Sequence, residues 1–199
     1  FVKNLIVQRA KMNLNAGKTV TAHLNSSDLT AIKESAVIGL AMNSSKLAAS
    51  NTETQINLAG GSTVNADRTD TGNGAVGLFI NYGKVHTDPS ATINVEQLTT
   101  NAHNDNAVGI YAVNGSEVYN KGAVNVGGNK SIGMYGKGVG TIVENASNGK
   151  IYLDGSRATA TDKIQSMTGV YVDEGATFIN RGDIRTADAY AGRDGKVND

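Results

Sequence analysis

The chain contains no cysteine. No disulfide can staple it and no thiol can act as nucleophile or metal ligand, so packing and hydrogen bonds alone must hold the fold. Net charge is also absent: 18 basic residues balance 18 acidic ones. Nothing in that balance points to nucleic acid or to a membrane surface. Aromatic residues make up only 5 % of the chain, and Pro89 is its one proline. There is no run of about eighteen apolar residues, so no segment has the makings of a membrane-spanning helix.

What is present is glycine, at 24 of 199 residues, together with abundant Asn, Thr, Ala and Val. Most of these are poor helix formers. The length suits one domain or a slice of a longer one. The chain begins at Phe1 with no signal peptide and ends soon after a repeat unit, so it is expected to be a fragment of a longer protein.

Self-similarity decides the reading. Five segments match: "VIGLAM", "AVGLFI", "AVGIYA", "SIGMYG" and "MTGVYV", with glycines Gly39, Gly77, Gly109, Gly133 and Gly169. A second match follows, "EVYNKGAVNV" against "TFINRGDIRT", which aligns Asn120 with Asn180 and Gly122 with Gly182. "TIVENASNGKIYL" fits the same pattern with a small insertion, which adds Asn145 and Gly149. An alternating strand closes each unit: "QINL", "TINV", "AVNV", "KIYL" and "DIRT". Each unit therefore holds three short strands bounded by Gly, Asn or Ser. The shortest interval, 24 residues from Gly109 to Gly133, fits one turn of a parallel β-helix. One such coil cannot bury its apolar face alone, but stacked coils share a core. The expected fold is all-β, a right-handed parallel β-helix segment with three short strands per coil and loop insertions at one corner. Residues 36–199 carry the repeats, and residues 1–35 are expected to be irregular or to form preceding coils. The segment 26–35 is the best candidate for a helix.

Strict alternation through the first strand places Ile38, Val76, Val108, Ile132 and Thr168 on the core face with Leu40, Leu78, Ile110, Met134 and Val170. The glycines and the column Ala41, Phe79, Tyr111, Tyr135 and Tyr171 then face outward. That predicts an aromatic stripe, either a stabilising ladder that covers the glycines or a platform for a sugar or protein. Asn120, Asn145 and Asn180 fall at a coil corner, where Asn tolerates left-handed backbone and can stack into a hydrogen-bonded ladder.

Unit length varies after the closing strand, over 59–76, 96–108 and 154–168. In a solenoid such insertions line up on one side of the rod, and recognition favours them. Arg68, His103, Asp105, Arg157 and Lys163 are the binding candidates there. Catalytic chemistry is not visible. His23, His86 and His103 stand in different contexts, no metal set emerges, and no nucleophile, base and acid can be assembled. Asp183, Arg185 and Asp154 are the one combination that could imitate a polysaccharide-cleaving groove. The chain also contains Arg181-Gly182-Asp183, the tripeptide many integrins bind. In the repeat it occupies a turn and the start of a strand, so it reads as scaffold first.

The phrases "AVGIYAVNGSEVYNKGAVNVGGNKSIGMYGKG" and "MTGVYVDEGATFINRGDIRT" resemble the passenger repeats of large autotransporter adhesins, above all those of fusobacteria. The likeness covers about residues 36–190. It implies a β-helical passenger displayed on the bacterial cell surface, held by a C-terminal outer-membrane barrel of the same parent chain. It also implies binding to a host cell-surface protein or glycan, or to partner bacteria; with no catalytic or metal set visible in the residues, neither enzymatic activity nor a cofactor is expected. The two alternatives are a passive stalk and a secreted polysaccharide-cleaving β-helix.

Overall fold

The computed structural model describes residues 2–24, 37–44, 54–68, 74–96, 106–128, 130–154 and 167–186. Six coils stack, each made of three strands. The first coil is β1 (Val2–Val7), β2 (Lys11–Leu14) and β3 (Thr19–Leu24), and the second is β4 (Val37–Asn43), β5 (Gln55–Leu58) and β6 (Thr63–Arg68). The third is β7 (Ala75–Asn81), β8 (Lys84–Thr87) and β9 (Thr92–Val95), and the fourth is β10 (Val108–Val113), β11 (Glu117–Asn120) and β12 (Ala123–Gly127). The fifth is β13 (Ile132–Lys137), β14 (Ile142–Asn145) and β15 (Lys150–Asp154), and the sixth is β16 (Thr168–Asp173), β17 (Thr177–Asn180) and β18 (Asp183–Thr186).

Corresponding strands pair in parallel, which gives three six-stranded sheets along the rod. The chain is a right-handed parallel β-helix. Residues 2–24 supply a full coil in the same three sheets. The candidate helix at 26–35 lies outside the described residues.

The core is one apolar column system inside the coils. Leu40, Leu78, Ile110 and Met134 from the first sheet meet Ile56, Val85, Val118 and Val143 from the second and Val64, Ile93, Val124 and Ile151 from the third. Each such burial contributes roughly 1.5–3 kcal/mol before chain entropy is counted.

The phase of the first sheet differs from strict alternation. In β10 both Gly109 and Ile110 are buried, whereas Val108 and Tyr111 are half-buried. β7 and β13 repeat the pattern. The strands bend at the glycine, so glycine and the residue after it both face inward. The column before the glycine is thereby turned outward: Val76, Val108 and Ile132 are half-buried, and Ile38, although buried, lies outside the core cluster. The glycines do not sit under the aromatic rings. They sit opposite the third sheet, where a Cβ on Gly39 would lie 2.8 Å from Val64 Cγ1, and one on Gly77 or Gly109 would lie 2.9 Å from Val95 or Val126 Cγ2. Glycine in a strand marks a bend or a close approach, and here it marks both.

The second coil also divides differently from the repeat pattern. "QINL" is β5 in the second sheet, and the third strand is β6, which lies within the stretch read as an insertion. The long connections from the third sheet to the next coil are therefore 25–36, 96–107 and 155–167, with 69–74 and 128–131 the short ones. The second coil has a further long connection, 44–54, at a different corner, between the first and second sheets.

Candidate functional site: the outer faces and corners of the coils

Parallel in-register pairing carries each outward position into a column. Phe79, Tyr111, Tyr135 and Tyr171 are consecutive partners along the first sheet. Phe79 meets Tyr111 edge-on at 5.6 Å. Tyr111 and Tyr135 are stacked, with centroids 4.7 Å apart and an interplanar angle of 11°. Tyr171 tilts against Tyr135 at 5.3 Å. Each aromatic contact contributes about 0.5–1.5 kcal/mol beyond the burial itself. Because Tyr111 and Tyr135 cover each other's faces, those faces are not open to a flat ligand. Tyr171 is the most open ring, at 48 % exposure.

Burial pushes the Tyr135 phenol above the usual tyrosine range, and Tyr111 adds to the effect. The neutral phenol is thus favoured in the folded chain. The stability this contributes is complete below the ordinary phenol pKa of about 10 and declines as pH rises through the folded value. Urea melts across that alkaline window should show wild type losing stability relative to Tyr135→Phe. Parallel curves would place the phenol in water.

At the corner between the second and third sheets, one inward column changes character along the rod. Leu14 and Leu58 give way to Thr87, Asn120, Asn145 and Asn180. Thr87 Oγ1 donates to Asn120 Oδ1 at 2.9 Å, Asn120 Nδ2 to Asn145 Oδ1 at 3.1 Å, and Asn145 Nδ2 to Asn180 Oδ1 at 3.0 Å. Asn120 Nδ2 also reaches the Gly122 carbonyl, and Asn145 Nδ2 reaches that of Asp183. Thr87 Oγ1 accepts from the backbone amides of Lys121 and Gly122. Asn120 and Asn145 are fully buried. Asn145→Ala would leave buried partners unmatched and should cost about 2–4 kcal/mol. Asn125→Ala, in the half-buried ladder Asn125–Asn94–Asn65 on the outside of the third sheet, should cost under about 1 kcal/mol. Chemical denaturation of both variants checks the contrast.

The tripeptide Arg181-Gly182-Asp183 lies at this same corner, one coil beyond Asn145. Arg181 forms an ion pair with Glu144 of the preceding coil. A Cβ on Gly182 would clash with the carbonyls of Gly149 and Ala146 and lie 2.8 Å from Asn145 Nδ2. Gly122 and Gly149 are crowded in the same way in their own coils. The Asp183 amide donates to the Gly149 carbonyl at 2.9 Å. All three residues thus have scaffold duties.

Arg68 is not on a corner loop. It is the last residue of β6 and is fully buried, beside Asp67, which is equally buried. The Arg68 backbone amide donates to Glu96 Oε2 at 3.4 Å, and His23 Nδ1 lies 3.7 Å from Asp67 Oδ2. This polar row, buried except for the exposed His23 at its edge, was not legible in the sequence, where "ADRTDTG" reads as a surface loop. His103, Asp105, Arg157 and Lys163 lie outside the described residues.

A family model, the BigA third pectate lyase-like domain, matches residues 4–182. The chain belongs to that family. No curated protein and no solved structure matches it. In this pectate lyase-like domain the two carboxylates of the candidate cleavage groove stand apart along the strand direction. Asp183 pairs with Lys150 at the start of β15, whereas Asp154 ends the same strand. Four residues of strand separate the two positions, roughly 13 Å. The Arg185 guanidinium lies over the Tyr152 ring at 4.9 Å and donates to its hydroxyl at 2.8 Å. His86 packs on Tyr119 at 5.9 Å. Among the described residues no group of three or more His, Cys, Asp or Glu side chains could hold a metal ion.

Proposed function

We propose that this chain is a non-catalytic binding segment of a bacterial surface protein, the β-helical passenger of an autotransporter-type adhesin. Its partner is a host cell-surface protein or glycan, or another bacterium. Support comes first from the family, a β-helical domain, and from the repeat likeness to autotransporter passengers. The observation that carries the reading is the arrangement of connections. Of the four longest connections, three (25–36, 96–107 and 155–167) join the third sheet to the first at one corner and one (44–54) lies at another, while the outer faces of the coils are spent on ladders. A regular rod with most of its long connections at one corner is suited to presenting a contact surface. The separation of Asp154 from Asp183 speaks against the polysaccharide-cleaving alternative.

The test is titration of the fluorescent chain onto host cells and onto bacteria, with polyuronate cleavage assayed in parallel. Saturable binding without cleavage is the expected result. No binding, with longer pieces of the passenger binding, would make this segment a stalk. Cleavage products would make it an enzyme.

A further inference from the structure

Asn-Gly dipeptides are the points in a chain most open to spontaneous deamidation, because glycine leaves the attacking backbone nitrogen unhindered. Asn114-Gly115 forms the exposed turn between β10 and β11. Both residues adopt left-handed backbone, with φ of 59° and 76°, and the Ser116 amide closes the turn on the Val113 carbonyl. The coils on either side grip this turn. The Asn114 carboxamide donates to Asn81 Oδ1 in the third coil at 2.8 Å, and Asn81 in turn donates to Asn43 Oδ1 at 2.9 Å. The Gly115 amide donates to Thr141 Oγ1 in the fifth coil at 2.9 Å, and that hydroxyl donates to the Lys137 carbonyl at 2.8 Å.

We propose that Asn114-Gly115 is a latent deamidation site whose reactivity is set by the stacking of the fifth coil on the fourth, with the Thr141 hydroxyl as the lock. In the reaction the Gly115 nitrogen loses its proton and attacks Asn114 Cγ. The C–N bond of the carboxamide breaks, ammonia leaves, and a succinimide forms. Water then opens the ring to aspartate or isoaspartate. In the intact stack the attacking nitrogen has its hydrogen held by Thr141, and the carboxamide is turned toward Asn81. Once formed, the product cannot restore the corner. A carboxylate has no hydrogen to give Asn81 Oδ1, and an isoaspartyl link adds a backbone carbon to a turn that must keep register with its neighbours.

The experiment is mildly alkaline incubation of the intact protein, with peptide mapping by mass spectrometry. Asn114 should convert far more slowly than in a free peptide of the same sequence. Thr141→Val should accelerate it about tenfold, as expected for the loss of one net hydrogen bond, and Thr141→Ser should not. Asn148-Gly149 is the internal control, because the Gly149 amide donates to the Ala146 carbonyl within its own turn at 2.7 Å. Its rate should not change. Peptide-like conversion in the intact protein, an unchanged rate in Thr141→Val, or equal acceleration at Asn148 would each overturn the proposal.

Discussion

Met134→Asp should abolish folding of the stack, while Ile132→Asp should fold and melt only slightly earlier. The two positions are two residues apart in β13, and strict alternation would give them the same fate. The bend at Gly133 separates them. Met134 is fully buried in the core cluster, and its replacement places a charge there with no partner, at roughly 5 kcal/mol or more. Ile132 is half-buried on the outer face, in a column with Val108 and Thr168. An Asp there can reach water, and the cost should be about 1 kcal/mol, mostly lost strand propensity. Circular dichroism melts of the two proteins decide the phase. Equal loss of structure would restore the straight-strand reading.

The second large effect concerns the glycine column. Gly109→Ala should destabilise the chain by roughly 3 kcal/mol or more. The added Cβ would lie 2.9 Å from Val126 Cγ2 and closer still to Val124 Cγ1 and the Gly133 carbonyl. The backbone half of that contact cannot rotate away. Gly115→Ala is the comparison. A Cβ at Gly115 meets nothing within 4 Å, but φ is +76°, so only the left-handed backbone cost of about 1–2 kcal/mol applies. Urea denaturation should therefore rank Gly109→Ala well below Gly115→Ala. The reverse order would mean that the first and third sheets do not approach through the glycines.

These two results also mark where the sequence was legible. The repeat, the three strands per coil, the Asn corner and the aromatic column all follow from residue type and spacing. The inward side of the first sheet did not follow completely, because glycine carries no polarity to reveal which way it faces. A period-2 reading runs straight through it and assigns Ile132 to the wrong side. β6 was missed because "TVNADR" ends in charge. Asp67 and Arg68 are buried beside His23 and Glu96, a pairing across coils that no local pattern displays. The aromatic column is legible as a stabilising ladder; the detail, Tyr111 stacked on Tyr135 with Phe79 edge-on and Tyr171 tilted at either end, is not. The Arg181-Gly182-Asp183 tripeptide was readable as a turn. The reason its glycine is required, the crowding by Gly149, Ala146 and Asn145, needed the neighbouring coil.

Recognition at the loop-bearing corner, rather than at the tripeptide or the aromatic stripe, is the centre of the functional account. Cell binding by four matched proteins tests it most directly: wild type, Arg181→Ala, Tyr171→Ala, and a chain with 155–166 replaced by a short Gly-Asn turn. The account predicts that the shortened corner loses binding at an unchanged melting temperature, while the two point variants bind as wild type does. Full binding by the shortened chain, with loss in Arg181→Ala or Tyr171→Ala, would contradict it.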